Sequence, residues 1–218
     1  MLLNTVIFDM DGLLIDSEPL WYEASQEILQ RFGKQLTPRQ YGETVGLRTK
    51  ECVERWFTEF NIPLDHAPLT ERDIEDRVIE KIITKAQPMP GVAYIFNYFV
   101  SLDFKIGLAS SSAMRIIDVV VDKLGFRNYL QAIESAETLP YGKPHPQVYL
   151  NCAAALQSNP AECICFEDSF NGMIAVKAAQ MKCVVVPALD EIRPEKFKAA
   201  DLKLSSLQNF NDLLLQTL

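Results

Sequence analysis

From residue 88 onward, short β-rich apolar runs alternate with segments of helical length, and this alternation narrows the possible folds more than any other feature. Helices are expected over 91–101, 112–123, 146–157 and 170–180. Strands are expected over 104–109, 132–135, 163–166, 183–187 and 202–204, before a C-terminal helix. Strands separated by helices of this length imply βαβ units and a parallel sheet. The run Thr5-Val6-Ile7-Phe8 supplies one more strand at the start of the chain. The expectation is an α/β fold on a doubly wound parallel sheet.

Between Pro19 and Gln87 the texture changes. Apolar and charged residues mix at helical spacing, as in Ile74, Val78 and Ile82 with Asp73, Asp76 and Glu80 between them. No strand is expected there. Pro63 and Pro68, with Asn61 and Asp65, mark a break inside the block, and Pro88-Met89-Pro90-Gly91 ends it. The division expected is a sheet domain of residues 1–15 plus 88–218 and an inserted helical domain of residues 16–87. A doubly wound sheet binds ligands beyond the C-terminal ends of its strands. An insertion leaving from that end would cover the crevice as a lid.

The informative polar residues fall just past strand ends: Asp9 and Asp11, Ser110, Ser111 and Ser112, Lys143, then Glu167 and Asp168. In a parallel sheet those ends converge on one edge. Clustered carboxylates suit a hard divalent cation, typically Mg²⁺ with phosphate. Ser111 and Ser112 are expected at the start of helix 112–123, where free backbone N–H groups favour an anion. Lys143 adds a point charge. Singly, each element has an ordinary explanation. Ser110–Ser112 could be capping residues, Glu167-Asp168-Ser169 could cap helix 170–180, and Lys143-Pro144 could be surface. A calcium loop starting at Asp9 fails because its fifth and sixth positions are Leu13 and Leu14. Joint occurrence in this order is what carries the assignment. There is no G-x-S-x-G and no G-x-G-x-x-G. Gly142-Lys143 is no P-loop, because Glu137 stands where its first Gly belongs and Pro144 follows the Lys.

The net charge of −8 argues against nucleic acid and against an anionic membrane surface as partners. An anionic substrate must therefore meet its positive charge locally, in a metal or a few basic side chains. The five cysteines, 52, 152, 163, 165 and 183, include no C-x-x-C and read as reduced core thiols. Cys163 and Cys165 would share one face of a strand. With only His66 and His145 available, a Cys/His zinc site is not expected. The N-terminus lacks the basic and apolar regions of a signal peptide. No apolar run approaches the ~20 residues of a membrane span. A cytoplasmic monomer or weak oligomer is expected.

The pattern resembles the haloacid dehalogenase superfamily. Asp-Met-Asp-Gly-Leu-Leu-Ile-Asp-Ser over 9–17 is similar to its first motif and the strand ending at Ser110 to its second. Lys143-Pro144 is similar to the third and Glu167-Asp168 to the fourth. The resemblance covers essentially the whole chain, including a helical type 1 cap. Within the superfamily, the stretches 9–21, 45–48, 107–112, 139–150, 167–173 and 203–207 look closest to sugar-phosphate phosphatases of the 2-deoxyglucose-6-phosphatase and hexitol phosphatase type. What this implies is a Rossmann-like core and magnesium-dependent hydrolysis of a small phosphate ester, of the hexose or 2-deoxyhexose 6-phosphate kind.

Carried over position by position, the resemblance makes Asp9 the nucleophile that forms an aspartyl-phosphate. Asp11 protonates the leaving alkoxide and then deprotonates water. Two residues apart in an extended segment, the two side chains point the same way. Mg²⁺ is implied to take the Asp9 side chain, the Asp11 carbonyl, Asp168, and Glu167 directly or through water. The Ser110 hydroxyl, the Ser111 backbone N–H and Lys143 hold phosphate oxygens. The cap is implied to choose the substrate through Glu18, Trp21, Gly46, Leu47 and Arg48, with Ser112, His145 and Asn171 from the core.

The nearest rival is a β-phosphoglucomutase-like isomerase on the same scaffold. It differs at two cap positions. It carries His where this chain has Trp21, and its cap Arg follows Gly by three residues where Arg48 follows Gly46 by two. Dehalogenation of carbon needs neither the Asp11 acid nor the metal carboxylates. Phosphonatase chemistry needs a cap Lys in a motif that Lys34, Lys50, Lys81 and Lys85 do not form. A binding-only or protein-directed role would be signalled by a lost motif residue, and none is lost.

Overall fold

In the computed structural model, which describes residues 3–188 and 194–218, the first apolar run forms β1 (Thr5–Phe8) with all four residues buried. Burial on both faces is what a central parallel strand requires. Five further strands join it: β2 (Lys105–Ser110), β3 (Ala132–Ser135), β4 (Cys163–Glu167), β5 (Lys182–Val185) and β6 (Leu202–Lys203). Among the described residues they form one six-stranded parallel sheet in the order β3-β2-β1-β4-β5-β6. The chain winds outward from β1 to β3, then returns to β4 on the other side of β1. The edge where β1 and β4 end together is thus the crevice of a doubly wound sheet.

Strand periodicity sorts the core into two layers. Val6, Phe8, Ile106, Leu108, Ile164, Phe166 and Val184 face one layer. Ile7, Ala109, Cys163, Cys165, Cys183 and Val185 face the other. Helices α5 (Val92–Ser101) and α6 (Met114–Leu124) cover the first, and α7 (Gln147–Ala155) and α8 (Phe170–Ala178) cover the second. The first layer is aromatic: the rings of Phe8 and Phe96 stack at 5.0 Å and those of Phe96 and Phe126 at 4.4 Å. All five cysteines are free and buried, and Cys163 and Cys165 do share one face.

Residues 18–85 are helical with no strand: α1 (Glu18–Leu29), α2 (Pro38–Gly42), α3 (Thr49–Phe60) and α4 (Ala67–Lys85). Their apolar faces, including Leu20, Ile28, Val53, Phe57, Ile74 and Val78, join the first core layer rather than forming a separate one. A short α9 (Asp212–Gln216) ends the chain. One boundary moves in a way that matters. Helix α6 begins at Met114 with Ala113 as its N-cap, not at residue 112. Ser111 and Ser112 lie in the turn before it, and their hydroxyls are spent on other partners described below. No helix among the described residues is long and apolar enough to cross a membrane.

Candidate active site

Lys143 is the hub. Its ammonium donates to Asp9 Oδ1 at 2.6 Å, to Glu167 Oε1 at 2.7 Å, to the Ala109 carbonyl at 3.2 Å and to the Tyr149 hydroxyl at 3.1 Å. The side chain is only 1 % exposed, so this is a buried ion pair and not the surface lysine that its sequence neighbourhood allowed. Tyr149 also hydrogen-bonds Glu167. The other Glu167 oxygen accepts from the backbone N–H groups of Asp168 and Ser169 and from the Ser169 hydroxyl. Ser169 in turn caps α8 by accepting from Gly172 N at 3.0 Å. The strand ends β1, β2 and β4 and the start of α8 are thereby tied to one cation.

One ammonium does not balance the carboxylates. Ligand oxygens of Asp9, Glu167 and Asp168 all lie within 4.8 Å of one another. Burial pushes Asp9 up to about 8, helped by the Glu167 charge and opposed by Lys143. Asp168 is held well above the carboxylate range, by burial first and then by Asp9 and Glu167. Burial alone would lower Lys143, but Asp9 and Glu167 outweigh it and keep the ammonium charged. An all-oxygen donor set with surplus negative charge fits a hard divalent cation such as Mg²⁺. Asp9, Asp168 and Glu167 would hold it, and it would neutralise their surplus charge.

This imbalance has a sign. A carboxyl whose folded value lies above its ordinary 3.8 keeps a proton in the folded state that the unfolded chain has lost, so stability falls as pH rises through that interval. Glu18, raised by burial from 4.5 to about 7, acts in the same direction. In EDTA the melting temperature is expected to fall between about pH 5 and pH 8. Mg²⁺ is expected to raise it more at pH 8 than at pH 5, because the cation compensates carboxylates that are costly only when ionised. Thermal scans across pH with and without Mg²⁺ check this. A Tm in EDTA that stays flat or rises over that interval contradicts it.

Asp11 stands apart from the acidic triad. Its Oδ1 accepts from the Ser17 hydroxyl at 2.6 Å and the Trp21 indole at 3.0 Å, and its Oδ2 accepts from the Ser112 hydroxyl at 2.7 Å. Ser17 and Ser112 are far apart in the sequence, so the carboxylate is set at once by the segment entering α1 and by the turn after β2. Ser110 is buried, and its hydroxyl accepts from Ser112 N at 3.1 Å.

The helical segment reaches the sheet edge through the loop 44–48. The Ser111 hydroxyl donates to the Gly46 carbonyl at 2.8 Å and the Asn171 amide to the Val45 carbonyl at 2.8 Å. Arg48 donates to the Leu139 carbonyl at 2.6 Å and pairs with Glu51 at 2.7 Å. Gly46 has φ +84°, and a Cβ there would lie 2.4 Å from Ser169 Oγ, so the loop sits against the acidic pair as close as backbone allows.

Between loop and strand ends lies a cavity. It is lined by Asp9, Asp11, Asp168, Ser110, Ser111, Ser112 and Lys143 from the strand ends and their turns, and by Glu18, Trp21, Tyr41, Gly46, Leu47 and Trp56 among others from the helical segment. Three expected specificity residues do not line it. Arg48 and Asn171 are drawn onto loop carbonyls and tie the loop 44–48 to residues 139 and 171. His145 lies against Tyr141 and accepts from Gln147 N, which turns it to its own loop. Tyr41, Trp56, Tyr149 and Ser17 were not singled out from sequence. Ser17 closes the first motif, where the signal was available. Tyr149 and Trp56 occupy apolar positions of helices and read there as core.

A model of the haloacid dehalogenase-like hydrolase family matches residues 6–186. The chain is 41% identical over 208 residues to hexitol phosphatase B of Escherichia coli K12, covering 92% of this chain and 91% of the relative. It is 28% identical over 193 residues to a phosphorylated carbohydrates phosphatase of Thermotoga maritima, covering 87% and 88%. Among solved structures, β-phosphoglucomutase from Clostridium difficile superposes with a TM-score of 0.88 at 24% identity, covering 99% and 96%, which shows a shared fold.

Proposed function

The chain belongs to the haloacid dehalogenase-like hydrolase family, and we propose that it is a magnesium-dependent phosphatase of small sugar or hexitol phosphates with Asp9 as nucleophile. The observation that carries this is the acidic triad Asp9, Glu167 and Asp168, pinned by Lys143 beneath a cavity shared with the cap. In this reading residues 16–87 are the cap and residues 1–15 plus 88–218 the catalytic core. The similarity to hexitol phosphatase B supports the substrate class.

The residues divide the work as follows. Lys143 fixes one oxygen of Asp9 and leaves the other for phosphorus. An Asp9 oxygen forms a bond to phosphorus while the ester P–O bond breaks, and the leaving alkoxide takes a proton from Asp11. Water then attacks the aspartyl-phosphate, Asp11 takes its proton, and the bond to Asp9 breaks with release of phosphate. The surroundings of Asp11 favour one of its oxygens as the carrier of that proton. The indole of Trp21 can only donate, so Oδ1 must remain an acceptor. The Ser112 hydroxyl on Oδ2 can rotate and accept instead. The mobile proton therefore belongs on Oδ2. The Ser110 hydroxyl, the Ser111 N–H and Lys143 are assigned to the remaining phosphate oxygens.

Phosphate release from a panel of hexose, 2-deoxyhexose and hexitol phosphates, with Mg²⁺ and with EDTA, tests the proposal. Release that depends on Mg²⁺ and is led by hexose or hexitol 6-phosphates is the expected result. Conversion of β-glucose 1-phosphate in the presence of its bisphosphate, without phosphate release, would instead identify an isomerase.

A further inference from the structure

The cap half of the cavity contains one polar group that the protein leaves unanswered. Trp56, on α3, is 3 % exposed and lines the cavity, and its Nε1–H has no hydrogen-bond acceptor among the described residues. It is the single buried side-chain nitrogen or oxygen of the described residues in that condition. Native proteins pair nearly all buried donors, and an unpaired one is costly.

None of the polar groups that line the cavity with it stands within hydrogen-bond reach of the indole. The Tyr41 ring stacks beside Trp56 with centroids 6.5 Å apart, but the Tyr41 hydroxyl is committed to Glu18 Oε2 at 2.8 Å. The Thr44 hydroxyl is committed to the Tyr41 carbonyl at 2.7 Å, and the Cys52 thiol to the Thr44 carbonyl. These groups donate to one another, and the buried Trp56 indole is left as a donor without an acceptor in a residue that lines the cavity. The same cavity is lined by Asp9, Ser110 and Lys143.

We propose that the Trp56 indole N–H donates to a hydroxyl oxygen of the leaving group, and so selects phosphate esters of polyhydroxylated carbon chains. The inference rests on the phosphatase reading above and adds the cap residue that distinguishes its substrates. A substrate whose phosphate meets Asp9 and Lys143 directs its carbon chain toward α3. There the faces of Tyr41 and Trp56 offer apolar surface to C–H groups, and the indole edge offers a donor to one hydroxyl. A site that keeps a buried donor for a substrate hydroxyl discriminates strongly against an ester without one, because binding that ester leaves the donor unpaired.

Trp56→Phe removes the N–H and keeps an aromatic ring in place. For the preferred hexose or hexitol phosphate, kcat/KM is expected to fall about tenfold or more, mainly through KM. For phenyl phosphate, which has no hydroxyl, it is expected to stay within about twofold. Among monodeoxy analogues, the one lacking the recognised hydroxyl should show no further loss in the variant. The melting temperature should hold or rise, since a buried unpaired donor has been removed. Equal losses on both esters would assign Trp56 to packing and overturn the proposal, as would no loss on either. Failure of the unmodified protein to release phosphate from any ester would overturn the phosphatase reading first and this inference with it.

Discussion

Asp9→Asn is expected to lower phosphatase turnover by roughly 10⁴-fold or more, while the protein stays folded and, without added cation above neutral pH, no less stable. The two halves of that expectation come from the same geometry. The amide cannot form the bond to phosphorus that this reading assigns to Asp9. Stability moves the other way because Asp9 is costly when charged: burial and Glu167 push its carboxyl up to about 8. Replacing it with a neutral side chain of the same shape relieves that cost, and Lys143 retains Glu167 at 2.7 Å. Functional sites commonly carry such strain. Steady-state rates on the best ester and a thermal scan at pH 8 in EDTA check both halves. Substantial residual turnover would remove Asp9 from the nucleophile's role, and a large drop in Tm would show that its charge is structurally needed.

The sheet was legible because strand and helix alternate in period, and the reactive edge because its polar residues interrupt apolar strands at their ends. Asp9, Glu167 and Asp168 could be placed together from that rule alone, and the structure brings them within 4.8 Å. The parts that were not legible depend on packing between the helical segment and the sheet edge. Arg48 is drawn to the carbonyls of Ala136 and Leu139, which are distant in sequence, so nothing local marks it as a fastener. Trp56 sits at an apolar position of α3, and no sequence pattern reveals whether an indole N–H finds an acceptor. The start of α6 was placed two residues early because Ser111 and Ser112 look like caps, whereas their hydroxyls serve Gly46 and Asp11. Hydroxyl residues at a strand end have two uses, and the choice is made by what crosses over them.

Gly172→Ala is expected to destabilise the protein by about 3–5 kcal/mol, the cost of disrupting a buried ion pair, and to abolish activity. Helix propensity alone predicts the reverse, a gain of about 1 kcal/mol for replacing a helical Gly with Ala. The decisive quantity is distance: a Cβ at Gly172 would stand 1.9 Å from the Glu167 carboxyl carbon and from Oε1, and 2.1 Å from Oε2. No side chain survives that approach, so either the helix or the carboxylate must move. The helix is held by the Ser169 cap on Gly172 N and by Asn171 on the cap loop. The carboxylate is fully buried and is held by Lys143, Tyr149, Asp168 N and Ser169. Either movement breaks the network that anchors Asp9 and the proposed metal ligands, so magnesium binding should weaken with stability. Gly42→Ala is the control. It is also a helical glycine, but a Cβ there meets nothing within 4 Å, so it should be neutral or slightly stabilising. Urea denaturation and calorimetric Mg²⁺ titration of the two variants separate the accounts. If Gly172→Ala matched the unmodified protein in both, the close packing of Glu167 against the helix backbone would not be what fixes this site. If it fails while Gly42→Ala does not, the glycine is there for the carboxylate: the first turn of α8 gives up helix propensity so that a buried acid can lie against bare backbone.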